Sequence, residues 1–180
     1  MSFAKSAVLV VVALAVLLVA VPSASAAGAC SSANATAAST TKRALVRATL
    51  CVLNAERARH HLGRLRLSRE LSSAARRHSH AMVRGKFFSH DSADGGSFVD
   101  RIRSSGYLAG ASGWFVGENI AYGSGSRSSP RSIGTAWMNS PPHRANILRD
   151  SFREIGIGVA SGTPVGAGGA TYTTDFGRRS

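Results

Sequence analysis

Three blocks decide how this chain is read: Phe87-Phe88-Ser89-His90, then Gly117-Glu118-Asn119-Ile120-Ala121, then Trp137-Met138-Asn139-Ser140-Pro141-Pro142-His143-Arg144-Ala145-Asn146-Ile147-Leu148. In them two histidines and one carboxylate sit among apolar residues punctuated by Gly or Pro. Histidine changes role most readily near neutral pH, as metal ligand, acid or base. A Glu between Gly117 and Asn119, inside Phe115-Val116 and Ile120-Ala121, is not placed like a solvated surface charge. His90, Glu118 and His143 are therefore expected to face one cleft.

Outward from these blocks the pattern is helical before and strand-like after. Thr41 is set to cap a helix to about His60, with Leu45, Ala48, Val52 and Ala55 at helical spacing. Leu65-Arg66-Leu67 reads as a short connector. Ser68 caps a second helix whose stripe is Leu71, Ala74, Ala75, His78 and Met82, with Gly85 as its stop. On that stripe His78 reads as a hydrogen-bonded core histidine, whereas His60, His61 and His80 read as solvated. Ser97 and Asp100 predict a short capped helix ended by Gly106. Trp114 to Ala121 reads as a strand, Gly123 to Ser129 as a mobile loop, and Ser129-Pro130 as the start of a helix that Pro141-Pro142 stops. Ile155, Ile157 and Val159 alternate with Gly156 and Gly158, and a row of glycines on one strand face lets another segment come close. Tyr172, Thr174 and Phe176 alternate with Thr171, Thr173 and Asp175 in a second terminal strand. Helices, then a mixture, then a hairpin favour an α+β layered domain over a doubly wound sheet.

The 180 residues suit one domain, and 44% hydrophobic content excludes a disordered chain. Lys5, the apolar run Ala7 to Val21 and the Ala24-Ser25-Ala26 site read as a secretory signal peptide over residues 1–26. The run is shorter than the roughly 20 residues of a bilayer span, so no transmembrane segment is expected after cleavage. Residues 27–40 read as a flexible N-terminal arm. Export permits disulfides. Cys30 and Cys51 are expected to pair and tether the arm to the first helix; two free thiols, or a lipid on Cys30, are the alternatives. The net charge of +13 is carried almost wholly by scattered Arg, with Lys only at positions 5, 42 and 86. That scatter fits attraction to anionic cell-wall polymers and not specific nucleic-acid binding. No nucleophile elbow, H-E-x-x-H, phosphate loop or dinucleotide fingerprint is present.

On residue chemistry alone, His90, Glu118 and His143 suit zinc or another divalent cation, or else a hydrogen-bonded structural cluster. The three blocks, together with Leu53-Asn54-Ala55-Glu56-Arg57 and His78-Ser79-His80-Ala81-Met82, resemble the CAP superfamily: cysteine-rich secretory proteins, antigen 5 and pathogenesis-related proteins. The likeness is greatest to the bacterial SCP-like extracellular branch. It implies an α-β-α sandwich with a central antiparallel sheet over residues 41–178. It also implies a cleft of two His and two Glu, which holds a divalent metal in some members. His90, Glu118 and His143 match three of the four. The second glutamate would fall where this chain has Asn139-Ser140, and Glu154 aligns elsewhere. Thr173 stands where bacterial relatives often carry a large aromatic. A reduced set weakens metal-assisted hydrolysis, because no second carboxylate remains as general base. The function expected is thus a secreted, monomeric binding module for a small lipid, glycan or metal ion. A metal-dependent hydrolase using the same three residues is the alternative.

Overall fold

The computed structural model describes residues 30–180, apart from the side chain of Ala167. The signal peptide expected at residues 1–26 lies outside the described residues. Helix α1 (Lys42–Arg59) starts where Thr41 accepts the Ala44 N–H, as its capping pattern requires. Helix α2 (Arg69–Gly85) starts in the same way at Ser68. Its stop differs from expectation, because the left-handed residue is Lys86 (φ 53°), not Gly85. Gly85 is needed for packing: a Cβ there would stand 2.8 Å from the Phe87 ring.

Helix α3 (Phe98–Ser104) carries the expected capping box of Ser97 and Asp100. Strand β2 spans Trp114–Gly123. The next segment is an ordered 3-10 turn, Gly125–Ser128, rather than a mobile loop. Tyr172 holds it by donating its hydroxyl hydrogen to the Ser128 carbonyl at 2.8 Å. Helix α4 (Pro130–Met138) ends as expected. Pro141-Pro142, however, opens a new helix, α5 (Pro141–Leu148). Proline lacks the N–H that an interior turn needs but that a first turn leaves free, so it stops one helix and starts the next.

The strands form one sheet in the order β1-β3-β4-β2. Strand β3 (Glu154–Thr163) and strand β4 (Gly166–Arg179) form a hairpin turning at Pro164-Val165. All pairings are antiparallel except that of β1 (Arg66–Leu67) with β3, so the expected connector at 65–67 is a short parallel edge strand. The architecture is the α+β, α-β-α sandwich expected, with helices on both faces.

Pleating divides the residues between those faces. Ile155, Ile157, Val159, Tyr172 and Phe176 pack with Leu45, Leu53, Ile133, Trp137 and Ile147 of α1, α4 and α5. Each such buried side chain contributes roughly 1.5–3 kcal/mol. On the opposite face α2 lies with its backbone almost on β3. A Cβ at Gly156 would meet the Leu71 carbonyl carbon at 2.0 Å, and one at Gly158 would meet that of Ala75 at 2.3 Å. This is the close approach the alternating glycines predicted.

The arm needs correcting for residues 30–40. They are seated on the domain: Ala33 is buried, its carbonyl accepts the Arg131 N–H at 2.8 Å, and Arg131 Nε donates to Asn34 Oδ1 at 2.9 Å. Cys30 is bonded to Cys51 on α1, so neither thiol is free and Cys30 Sγ is not available for a lipid. No helix among the described residues is long and apolar enough to cross a membrane.

Candidate functional site

Glu118 lies on β2, the edge strand, with its side chain toward α2 and α3 and 0% exposed. A carboxylate so buried must be neutralised or protonated. Two elements neutralise it. The segment leaving α2 brings His90, whose Nδ1 stands 2.8 Å from Oε1. Helix α3 brings Arg101, whose Nη2 donates to Oε2 at 2.6 Å. The Ser97–Asp100 capping box fixes the start of α3, and its Asp100 immediately precedes Arg101 in the chain. Burial alone would raise the Glu118 pKa; the His90 hydrogen bond and the Arg101 charge more than offset it and hold the carboxylate below its usual range. An ionised carboxylate only accepts, so His90 Nδ1 carries the hydrogen and Nε2 is the free ring nitrogen. The His90 side chain is 49% exposed. The pair is thus an imidazole oriented by a buried acid with an accessible face, an arrangement suited to accepting a proton or a ligand hydroxyl.

His143 enters from α5, on the other side of the β2 edge. Asn146 donates to Asn119 Oδ1 (2.9 Å) and to the Glu118 carbonyl (3.1 Å), and Asn119 donates to the His143 carbonyl (3.0 Å), which docks α5 on the strand. His143 Nδ1 lies 2.8 Å from Ser140 Oγ. Burial, and then the nearby His90, hold the His143 pKa below its ordinary value. His143 also lines a groove of about 250 Å³ along the β2 edge with Phe88, Ile120, Tyr122 and Trp137. The Trp137 indole N–H is tied to the Ile120 carbonyl at 3.1 Å.

His90 and Glu118 are therefore in direct contact, and His143 stands across the strand edge from them. Among the described residues, no three His, Cys, Asp or Glu side chains are grouped to hold an ion. The donor set gives the physical reason. Both Glu118 oxygens are engaged, one by a full guanidinium charge, so a divalent cation would have to displace Arg101 or His90. As arranged, neither Glu118 oxygen is free to ligate an ion.

Two members of the site were not found from the sequence. Arg101 sits on a capped surface-like helix, with nothing in its spacing to mark it. Asp175 is the direct ladder partner of Glu118, on the same sheet face and 1% exposed. Burial and the charge of Glu118 push its pKa well above the usual carboxylate range. Ionised, its oxygens have no donor; protonated, it donates to Glu118. An acid alternating with threonines in an otherwise buried strand was the signal available. His78 is the buried, hydrogen-bonded histidine expected, with Nε2 2.8 Å from the Ser89 carbonyl, one residue before His90. Glu154 is elsewhere, accepting from the Tyr107 hydroxyl at 2.7 Å.

The profile of the Cysteine-rich secretory protein family (CAP) matches residues 50–174. YkwD of Bacillus subtilis, an uncharacterized protein, is 36% identical over 129 residues, covering 71% of this chain and 48% of its own. The uncharacterized membrane protein YlbC of the same organism is 32% identical over 110 residues, covering 61% and 30%. The chain thus spans half or less of the curated relatives it matches. Among solved structures, an extracellular SCP-domain protein of Bacillus anthracis superposes with a TM-score of 0.58 at 27% identity, covering 76% of this chain and 43% of that one. An outer surface protein of Borrelia burgdorferi gives 0.64 at 19%, covering 78% and 96%, a likeness of fold alone. The chain belongs to the cysteine-rich secretory protein family, CAP.

Proposed function

We propose that this protein is a secreted binding module without a catalytic step of its own, and that its ligand site is the groove along the β2 edge. The carrying observation is a pair of exposed rings. Phe88 (46% exposed) and Tyr122 (40%) stand edge to face, centroids 4.9 Å apart, beside His143 and Trp137. Rings held by mutual contact lose little freedom when a ligand covers them. With Ile120 and Ala136 on the wall and His143 and Ser140 at the polar end, the groove suits a small amphiphile, a lipid or a glycan end. Action outside the cell is supported by the apolar run Ala7 to Val21, by the disulfide and by the extracellular relative. The net charge of +13 favours loose retention on anionic wall polymers.

Calorimetry with dodecanoate and with chitotetraose tests the reading. One of the two is expected to saturate, and Phe88→Ala or Tyr122→Ala to weaken it about tenfold, the scale of one good aromatic contact, without lowering Tm. Binding of neither, or binding indifferent to both substitutions, removes the groove as the site. The Arg101–Glu118 pair opposes a metal at this site. Zinc titration is expected to leave Tm unchanged; a rise that His90→Ala abolishes would restore the metal-dependent hydrolase.

A further inference from the structure

A second cleft, of about 330 Å³, opens between α2 and the turn at Ser92–Asp94. It shares no lining residue with the β2-edge groove, and the inference below does not rest on that groove. Its polar lining is Arg77, His78, Ser92, Asp94 and Arg101; Ala81 and Ala93 complete the wall. A water takes roughly 30 Å³ of liquid, so the space admits a small ion with part of its hydration.

The hydrogen-bonding inventory of this lining is unbalanced. Arg101 donates through Nη1 to Ser92 Oγ (3.0 Å) and through Nη2 to Glu118, yet its Nε–H is shut from solvent with no acceptor. Ser92 Oγ accepts from Arg101, and its own O–H has no acceptor among the described residues. Arg77 spends one nitrogen on Ser73 Oγ at 2.8 Å and leaves the rest of its fork without a protein acceptor. Opposing this positive charge is Asp94, one of whose oxygens is turned to the Gly96 N–H at 3.1 Å. The lining is donor-rich, with one exception. The Ser89 carbonyl can only accept, so His78 Nε2 carries the ring hydrogen and His78 Nδ1 is a bare lone pair. That nitrogen is also buried and unpartnered, on a residue 1% exposed.

We propose that this cleft binds a small oxyanion that also carries a hydroxyl group, the shared chemistry of hydrogen phosphate and of an acidic sugar. The anionic oxygens take the Arg77 fork, the Arg101 Nε–H and the Ser92 hydroxyl. The ligand's own O–H donates to His78 Nδ1. Because Arg101 is held on its other edge by Glu118, the anion joins the charge network of His90 without touching it.

The His78 acceptor makes the proposal specific. Sulfate has the charge and size of hydrogen phosphate but no O–H at neutral pH, and a site built around such a donor rejects the analogue that lacks it. The test is an amide-resolved NMR titration of the mature chain, in moderate salt, with inorganic phosphate, sulfate and D-glucuronate. Phosphate or glucuronate is expected to saturate, with shifts centred on Arg77, Ala81 and Ser92–Asp94; whichever binds more tightly names the source. Sulfate should bind at least about tenfold more weakly, the cost of one buried unpaired polar atom. Arg77→Met, at an exposed position, should weaken the anion about tenfold at unchanged Tm. Three results overturn the idea: no saturable shift, which leaves a water-filled cleft; equal binding of sulfate and phosphate; or an Arg77→Met variant that binds as before.

Discussion

The two faces of the central sheet handle buried polar groups in opposite ways. On the α1, α4 and α5 face, Arg57 is 0% exposed and each of its side-chain nitrogens has an acceptor. Its Nε donates to the Gly63 carbonyl at 2.7 Å, Nη1 to those of Ile147 (2.8 Å) and Arg149 (3.0 Å), and Nη2 to that of Phe152 (3.4 Å). Asn54 likewise donates to the Leu65 carbonyl and accepts the Leu65 N–H. On the α2 and α3 face, Arg101 and His78 each keep one buried atom without a partner and Asp175 keeps both oxygens so; on the other side Thr174 Oγ1 is the one such atom among the described residues. An unpartnered buried polar atom costs roughly 1–3 kcal/mol. One face has spent its polar groups on holding the fold. The other holds them in reserve, at a cost in stability, beside an accessible histidine.

The sharpest way to break that contrast is at Arg57. Arg57→Met keeps length and apolar bulk but strands the carbonyls at the end of α5 and the entry to β3. The expected loss is roughly 3–5 kcal/mol, because several charge-assisted bonds are lost together and their acceptors stay buried. Urea denaturation measures it. A loss under about 1 kcal/mol would mean that the clasp is decorative and the two faces do not differ.

The next effect is smaller and lies on the other face. Glu118→Gln removes the countercharge of Arg101, whose side chain is 12% exposed, but keeps one acceptor. The expected cost is about 2 kcal/mol, below that of a fully broken buried pair. Glu118→Gln combined with Arg101→Met should recover part of it, since an uncompensated charge is then no longer buried. A double-mutant cycle reads the coupling. Strict additivity would show that the two groups do not act as a pair and would return Glu118 to the metal reading.

How much of this was legible depends on the range over which each signal acts. Helix starts at Thr41, Ser68, Ser97 and Ser129 are local hydrogen-bonding events, and each is where its own few residues place it. The glycines of β3 foretold the approach of α2, because only a neighbouring backbone explains a bare strand face. The contact of His90 with Glu118 followed from the family's ordered blocks and not from spacing. Arg101 was invisible because its role depends on where α3 lands, and an Arg in a short capped helix looks the same when solvated. Pro141-Pro142 reads as an end because proline's missing N–H says that a helix cannot pass, but not whether another begins. Residues 30–40 looked free because their Ala and Ser composition carries no trace of the seat they take on α4.

The smallest effect is the one that most refines the contrast, and it is a matter of pH. Asp175 has its native pKa raised, so its contribution to stability is full below the ordinary carboxylate value near 3.8 and is lost as pH rises toward the native value. Glu118 has its native pKa lowered, so its contribution is present above the ordinary value of 4.5 and is lost as pH falls below it. The groups facing the pair are Arg101, Arg77, His78 and His90, and all remain in an Asp175→Asn variant. Asparagine keeps a donor toward Glu118 and has no proton to lose. The difference in stability between variant and parent therefore isolates the Asp175 titration. It should be near zero at about pH 4 and grow in the variant's favour as pH rises to neutral. Chemical denaturation at a series of pH values measures it. A loss in the variant that grows as pH rises through the ordinary carboxylate value would instead mean that Asp175 is ionised and paired in the native protein.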